Sequence, residues 1–93
     1  MKINLQTLHF KASENLTNYV EEKVSKLARY DDSVISAEVV LTEDGNSVDN
    51  KVCDIRLVVP GNDDFVKRNA VSFEEAISGC VDTLQKILTE KKR

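Results

Sequence analysis

Hydrophobic and polar residues alternate in several short stretches of the chain, with the period of two that is typical of half-buried strands. Residues 2–8, 34–43 and 51–59 show this alternation, and residues 65–70 form a shorter fourth stretch. The pattern therefore predicts four β-strands. In the second of them, we expect one face to be buried, and this face is formed by Ile35, Ala37, Val39 and Leu41.

Apolar residues recur at helical spacing in two longer segments. In the first, Ser13 is a suitable N-cap, and the apolar residues that follow it are Leu16, Val20, Val24 and Leu27. We predict a helix of about four turns here, ending near Tyr30. In the second, Ser72 and Glu75 fit a capping box, and the apolar residues behind them keep helical spacing as far as Leu88.

The predicted order of elements is β-α-β-β-β-α. Strands 1 and 2 are joined through a helix, so we expect them to run parallel, whereas hairpins make the other neighbours antiparallel. Each strand has one apolar face and each helix one apolar stripe, which favours two layers with both helices on the same side. The sequence therefore predicts an α+β fold in which two helices pack on one face of a four-stranded mixed sheet. Residues 1–93 are expected to form a single domain.

The composition is that of a small soluble globular protein, since 41% of the 93 residues are hydrophobic and 31% are charged. No apolar run approaches the roughly 20 residues that span a bilayer, and the N-terminus lacks the apolar segment of a signal peptide. We therefore expect a cytoplasmic protein with no membrane partner. Cys53 and Cys80 stand alone within apolar patterns, which predicts core thiols rather than a disulfide or a metal site.

The residues needed for catalysis do not converge in this sequence. His9 is the only histidine, and the chain contains no nucleophile motif, glycine-rich phosphate loop or zinc-protease motif. Asp31-Asp32 and Asp63-Asp64 fall at the ends of predicted elements, where aspartate commonly stabilises turns and caps. We therefore predict a protein that is not an enzyme and that has no cofactor, metal or small-molecule substrate.

Charge is unevenly distributed along an acidic chain whose net charge is −3. Residues 1–30 and 67–93 each carry a net charge of +2, whereas residues 31–66 carry −7. Near the end of the first helix, Lys23, Lys26 and Arg29 recur at a spacing of three with no acid between them. Such a patch is either a solvated helix end that complements the helix dipole or a surface that binds a polyanion.

The two sides of the sheet offer different possibilities for RNA binding. Its outer face is expected to carry Glu38, Asp54 and Arg56, with Lys51 beside them. This face lacks the paired aromatic residues on which single-stranded RNA bases stack in other sheet-based binders. If the protein binds RNA, we expect it to use its helices and to contact phosphates. The alternative is a protein-interaction module that binds a basic partner through the acidic middle segment.

Four segments of the chain match a known family in order and spacing. They are Tyr19-Val20-Glu21-Glu22-Lys23-Val24-Ser25-Lys26-Leu27, Val34-Ile35-Ser36-Ala37-Glu38-Val39-Val40-Leu41, Val59-Pro60-Gly61 and Phe73-Glu74-Glu75-Ala76-Ile77. Together they resemble the ribosome hibernation-promoting factors, also called ribosome-associated translation inhibitors or sigma-factor modulation proteins. The resemblance covers essentially the whole chain, whose length is that of the family's short form. It implies a β-α-β-β-β-α fold similar to double-stranded RNA-binding domains.

The resemblance implies a ribosome-associated inhibitor of translation without enzymatic activity. Family members bind the small ribosomal subunit at its rRNA, in the channel that mRNA and the tRNA anticodon arms otherwise occupy, and so silence idle ribosomes. The implied partner is therefore the small subunit. We expect the protein to be monomeric away from the ribosome.

The resemblance also assigns the RNA contacts to basic side chains on the two helices. The family's basic positions on helix 1 are all basic here. On helix 2 they fall on Thr83, Lys86 and Glu90, so only Lys86 is retained, although the tail adds further basic residues. The predicted RNA-binding residues are Lys23, Lys26, Arg29, Lys86, Lys91, Lys92 and Arg93.

Overall fold

The alternating and helical patterns fold into the predicted order of elements. The computed structural model describes residues 1–45 and 48–91. Within them, the strands are β1 (Lys2–Leu8), β2 (Ser36–Glu43), β3 (Lys51–Val58) and β4 (Asp64–Ala70). The helices are α1 (Glu14–Ser25), which continues as a 3₁₀ segment (Lys26–Arg29), and α2 (Phe73–Lys91).

The four strands form one mixed sheet in the order β1-β2-β3-β4. β1 runs parallel to β2 and is connected to it through α1, whereas β2, β3 and β4 pair antiparallel through hairpins. α2 packs on β3 and β4, and α1 packs on β1 and on α2. The predicted α+β fold, with both helices on one face of a four-stranded mixed sheet, is confirmed.

The core lies between the sheet and the two helices. α1 contributes the stripe that the spacing predicted, and the helix-facing residues of β2 and β3 alternate with exposed or half-buried ones, except that Val52 on the other face of β3 is also buried. Burying a side chain of this size contributes about 1.5–3 kcal/mol, so this layer is the main source of stability. Its largest fully buried side chains are Leu27, Leu41, Ile55, Leu57, Ile77, Leu84 and Leu88.

The start of β2 differs from the prediction. Ile35 was expected in the core, but it is 60% exposed and precedes the strand, whereas its neighbour Val34 is 5% exposed. A turn in which the Val34 N–H donates to the Asp31 carbonyl (3.4 Å) brings Val34 into the core at this end of the sheet. Ile35 therefore stays at the rim, although its backbone pairs with that of Val58.

The end of helix 1 also differs, because the α-helix ends at Ser25 and the chain winds more tightly up to Arg29. The Tyr30 N–H donates to the Leu27 carbonyl (3.1 Å), a bond across three residues rather than four. There is no glycine or asparagine near residue 30 that would favour a left-handed cap. Short-range bonds therefore satisfy the last carbonyl groups of this helix.

Both predicted N-caps are present. The Ser13 hydroxyl accepts from the Leu16 N–H (3.1 Å), and the Ser72 hydroxyl accepts from the Glu75 N–H (3.2 Å). Each cap satisfies an amide that has no partner within its helix. The local sequence therefore determines where both helices begin.

Candidate nucleic-acid interface

Lys23, Lys26 and Arg29 form a basic cluster on the solvent side of helix 1, which we call the α1 basic cluster. Lys23 is half-buried, and Lys26 and Arg29 are exposed. The opposite side of the same segment is fixed in the core by side chains that are 0% exposed, among them Val24 and Leu27. The buried stripe thus sets the direction in which the cluster points.

The 3₁₀ segment aligns Lys26 with Arg29, whereas Lys23 precedes it in the α-helix. Three residues of an α-helix turn through about 300°, so residues spaced by three drift around its surface. In a 3₁₀ segment, residues i and i+3 eclipse each other. Lys26 and Arg29 both lie in this segment, so their side chains leave the same side of the chain.

No carboxylate neutralises the α1 basic cluster within residues 1–45 and 48–91. Ion pairs there join Lys51 to Glu43 (2.5 Å) and Arg56 to Asp63 (2.9 Å), both away from the cluster. The Lys23 ammonium instead lies over the Tyr19 ring, 5.6 Å from its centroid. A cation–π contact of this kind orients the lysine and preserves its charge.

A cleft of about 200 Å³ separates the α1 basic cluster from α2. The Tyr19 hydroxyl ties the two helices together, since it shares a hydrogen bond with the Ser78 hydroxyl (2.8 Å). One wall of the cleft therefore has Lys23 and Lys26, and the other has groups of α2 that include the Asp82 carboxylate, which forms no ion pair with either lysine in the described part of the chain. It is lined by Lys23, Lys26, Leu27, Tyr30, Ser78, Val81, Asp82 and Gln85.

Lys86 is the exposed basic residue of α2 nearest in sequence to this cleft. It follows Gln85 and lies one helical turn after Asp82, which places it on the solvent side of α2. Glu90, one turn further on, is also exposed. The side chains of the predicted basic residues Lys91, Lys92 and Arg93 lie outside the described residues.

Sequence reasoning missed a cation that lies against α2. Arg68 is on β4, and its Nη2 atom donates to the Thr83 hydroxyl (2.7 Å). The two residues are 15 positions apart, and neither belongs to a pattern that indicates their contact. Only the packing of α2 on β4 brings them together.

On the outer face of the sheet, two charged side chains are held by contacts within the chain. Glu38 accepts from the Asn4 amide (2.7 Å), and Arg56 donates to Asp63 (2.9 Å).

Lys51 was expected beside these residues, but it does not lie on the outer face. It shares the helix-facing side of β3 with the buried residues, and its ammonium lies 5.8 Å from the centre of the Phe73 ring. Phe65 is exposed on the outer face of the sheet, whereas its neighbour Val66 is buried on the helix-facing side.

Of the two acidic pairs, Asp31 acts in a turn, as predicted. It accepts from the Ser33 N–H (2.9 Å) and from its hydroxyl, whereas Asp63 pairs with Arg56 and Asp64 begins β4. Across the part of the chain that the structure describes, no three histidine, cysteine or acidic side chains form a group that could hold a metal ion. The same residues include no helix that is long and apolar enough to cross a membrane.

Cys53 and Cys80 are both free and fully buried, as their sequence pattern predicted. The Cys80 thiol donates to the Cys53 carbonyl (3.2 Å) and so links α2 to β3. Hydrogen bonding with the Cys80 thiol and burial raise the pKa of the Cys53 thiol. Cys53 therefore stays protonated in the folded protein and packs as an apolar side chain.

Two solved structures share this fold. The crystal structure of the Thermus thermophilus Protein Y N-terminal domain superposes with a TM-score of 0.84 at 27% identity, covering 97% of this chain and 98% of that one. The structure of a ribosomal subunit interface protein from Coxiella burnetii superposes with a TM-score of 0.86 at 16% identity. That match covers 99% of this chain and 98% of the other, and it establishes similarity of fold.

Sequence comparison gives the family. A curated relative from Acidithiobacillus ferridurans, named ribosome hibernation promoting factor, is 34% identical over 62 residues, which are 67% of this chain and 80% of that protein. The profile of the family described as sigma 54 modulation protein / S30EA ribosomal protein matches residues 3–93. The chain therefore belongs to this family, as the four sequence segments predicted.

Proposed function

We propose that this protein is a cytoplasmic translation inhibitor of the hibernation-factor type, which binds the small ribosomal subunit and silences idle ribosomes. Residues 1–93 act as a single ribosome-binding domain, monomeric off the ribosome, and the contacts are made to rRNA phosphates in the channel for mRNA and tRNA. Support comes from membership of a family of ribosome-associated proteins and from the curated hibernation promoting factor to which the chain is similar.

The observation that carries the proposal is the unneutralised α1 basic cluster. A chain of net charge −3 carries three neighbouring cations at the end of helix 1, with no carboxylate paired to them among the described residues. A positive patch of this kind attracts a polyanion to one surface while the rest of the protein repels it. It is the electrostatic feature expected of a protein that binds RNA phosphates.

The proposed mechanism requires binding alone. Each phosphate that a lysine or arginine neutralises releases condensed counterions, and this release supplies much of the affinity. The protein then occupies the channel, so mRNA and the tRNA anticodon arms are excluded by volume. No bond is made or broken in this mechanism.

Gradient co-sedimentation with purified small subunits at two salt concentrations tests the proposal. If the α1 basic cluster neutralises three phosphates, a fourfold increase in salt should lower the affinity by about 20- to 40-fold. The protein should therefore sediment with the subunits at low salt and remain at the top of the gradient at high salt. Failure to sediment at low salt, or binding that does not depend on salt, would contradict the proposal.

The rival proposal is a protein-interaction module that uses the acidic middle segment. Two of its acids already serve the chain itself, since Asp31 holds a turn through Ser33 and Asp63 pairs with Arg56. Neutralising the two acidic pairs, as in D31N/D32N/D63N/D64N, should leave sedimentation with small subunits intact. Loss of all binding in this variant would favour the rival.

A further inference from the structure

A single arginine is held against the exposed side of α2 by two residues of that helix. Arg68 lies on the helix-facing side of β4, in register with Cys53, and reaches beyond the sheet to α2. Its Nη2 atom donates to the Thr83 hydroxyl (2.7 Å), which in turn donates to the Gly79 carbonyl (3.0 Å). One hydroxyl thus accepts from the arginine and donates to the helix backbone.

The arginine side chain packs against α2 at Gly79. A Cβ atom at this position would lie 3.4 Å from Cγ of Arg68, 3.6 Å from its Cδ and 3.7 Å from its Nε, which are ordinary van der Waals distances. The aliphatic part of Arg68 therefore lies close to the surface of α2 at this position. The arginine therefore runs along α2 from Gly79 to Thr83 instead of extending freely into solvent.

The charge of Arg68 is not neutralised by the contacts that hold it. Its partner Thr83 is uncharged, and Arg68 forms no ion pair within the described residues. A guanidinium group carries five N–H donors, so several remain for a ligand. Residue 68 is exposed to solvent, so a ligand can reach it.

α2 has few other charges that would attract a phosphate. Between Phe73 and Lys91 its acids are Glu74, Glu75, Asp82 and Glu90, against the two lysines Lys86 and Lys91. Lys86 lies three residues after Thr83 and so on a neighbouring part of the helix surface. The guanidinium group of Arg68 therefore adds to this acidic helix a cation that its own sequence lacks.

We propose that Arg68 is a further phosphate-binding residue, positioned by Gly79 and Thr83 to bind an RNA phosphate beside Lys86. The planar guanidinium can donate two hydrogen bonds to one phosphate, and its orientation is already restricted by Thr83. This inference rests on the proposed binding to rRNA. It extends the binding surface from helix 1 across the cleft to the far side of α2.

The test compares R68Q with K67Q, a matched control on the same strand. Lys67 is also exposed and loses the same charge, but it points to the opposite face of the sheet. Affinity for purified small subunits is measured over a range of salt concentrations. R68Q should lower the affinity by about tenfold. The slope of log affinity against log salt concentration, here called the salt slope, should become shallower by about 0.7–0.9, whereas K67Q should behave like the wild-type protein.

Two further variants separate phosphate binding from a structural role. R68K keeps the charge and should retain most of the salt slope. T83V keeps Arg68 but removes the hydroxyl group that accepts its hydrogen bond, which should weaken binding without changing the salt slope. If R68Q lowers thermal stability but has the same salt slope as the wild-type protein, Arg68 is only structural and the inference is wrong. If the unchanged protein does not bind small subunits at all, the proposed function fails as well.

Discussion

At the scale of single residues, two buried thiols and an ion-paired carboxylate contrast with three neighbouring cations of helix 1 that form no ion pair in the part of the chain that the structure describes. The thiols of Cys53 and Cys80 are enclosed between β3 and α2, and Asp63 is neutralised by Arg56. The lysines and the arginine of the α1 basic cluster, in contrast, have no carboxylate partner among the described residues. These three cations follow one another at a spacing of three on helix 1, and such a cluster is a suitable surface for a polyanion.

The buried thiol of Cys53 gives a pH dependence with a definite sign. Its pKa is raised in the folded state, whereas an unfolded thiol ionises near pH 8.5. Above that pH the unfolded chain loses a proton that the folded protein retains, so the free energy of unfolding should fall by up to about 1.4 kcal/mol per pH unit. Urea denaturation between pH 7 and 10 measures this fall. The same decrease in a C53A variant would exclude the thiol as its cause.

Gly61 should be sensitive to substitution for reasons of backbone conformation alone. Its φ is +96°, a value that side-chain-bearing residues rarely adopt, and a Cβ atom there would meet nothing within 4 Å. We expect G61A to lower the free energy of unfolding by about 1–2 kcal/mol in urea denaturation. G61N should lose less, because asparagine tolerates positive φ more readily. Equal losses in the two variants would contradict this explanation.

At the scale of elements, the position of the α1 basic cluster relative to α2 depends on how the two helices pack. Their contact includes one polar bridge, from the Tyr19 hydroxyl to the Ser78 hydroxyl (2.8 Å). The same hydroxyl also donates to the Glu74 carbonyl (3.4 Å) at the start of α2. Tyr19 therefore holds one end of the cleft between the helices.

Removing this bridge should have a modest effect on stability. Y19F keeps the ring but deletes the hydroxyl group, and we expect the free energy of unfolding to fall by about 1 kcal/mol. A double-mutant cycle with S78A separates the hydrogen bond from other effects. If the losses in Y19F and S78A are fully additive, the bridge does not couple the helices.

The sequence predicted those elements whose signals are local. Ser13 and Ser72 each begin a helix through a cap that three or four residues define, and the strands show their period within eight residues. The exposure of Ile35 and the 3₁₀ end of helix 1 were missed because they depend on how a turn meets the core. Contact between Arg68 and Thr83 was missed for the same reason, since only tertiary packing brings strand and helix together.

At the scale of the whole molecule, the two-layer arrangement puts several cations on the helix side of the sheet. The helices carry the α1 basic cluster and Lys86, and Arg68 reaches α2 from β4. On the outer face of the sheet, Glu38 and Arg56 are paired with residues of the same chain. A cluster of cations on the helix side of the sheet favours the approach of a polyanion from that side.

The most direct test of the central claim is the sedimentation of a charge-reversed variant, K23E/K26E/R29E, with small ribosomal subunits at low salt. The matched control is K2E/K11E/K67E, which has the same net charge but is altered at exposed positions outside the α1 basic cluster. Unchanged thermal denaturation should show that both variants are folded. We predict that the cluster variant no longer sediments with the subunits and that the control does. Binding of the cluster variant at the level of the control would contradict the account.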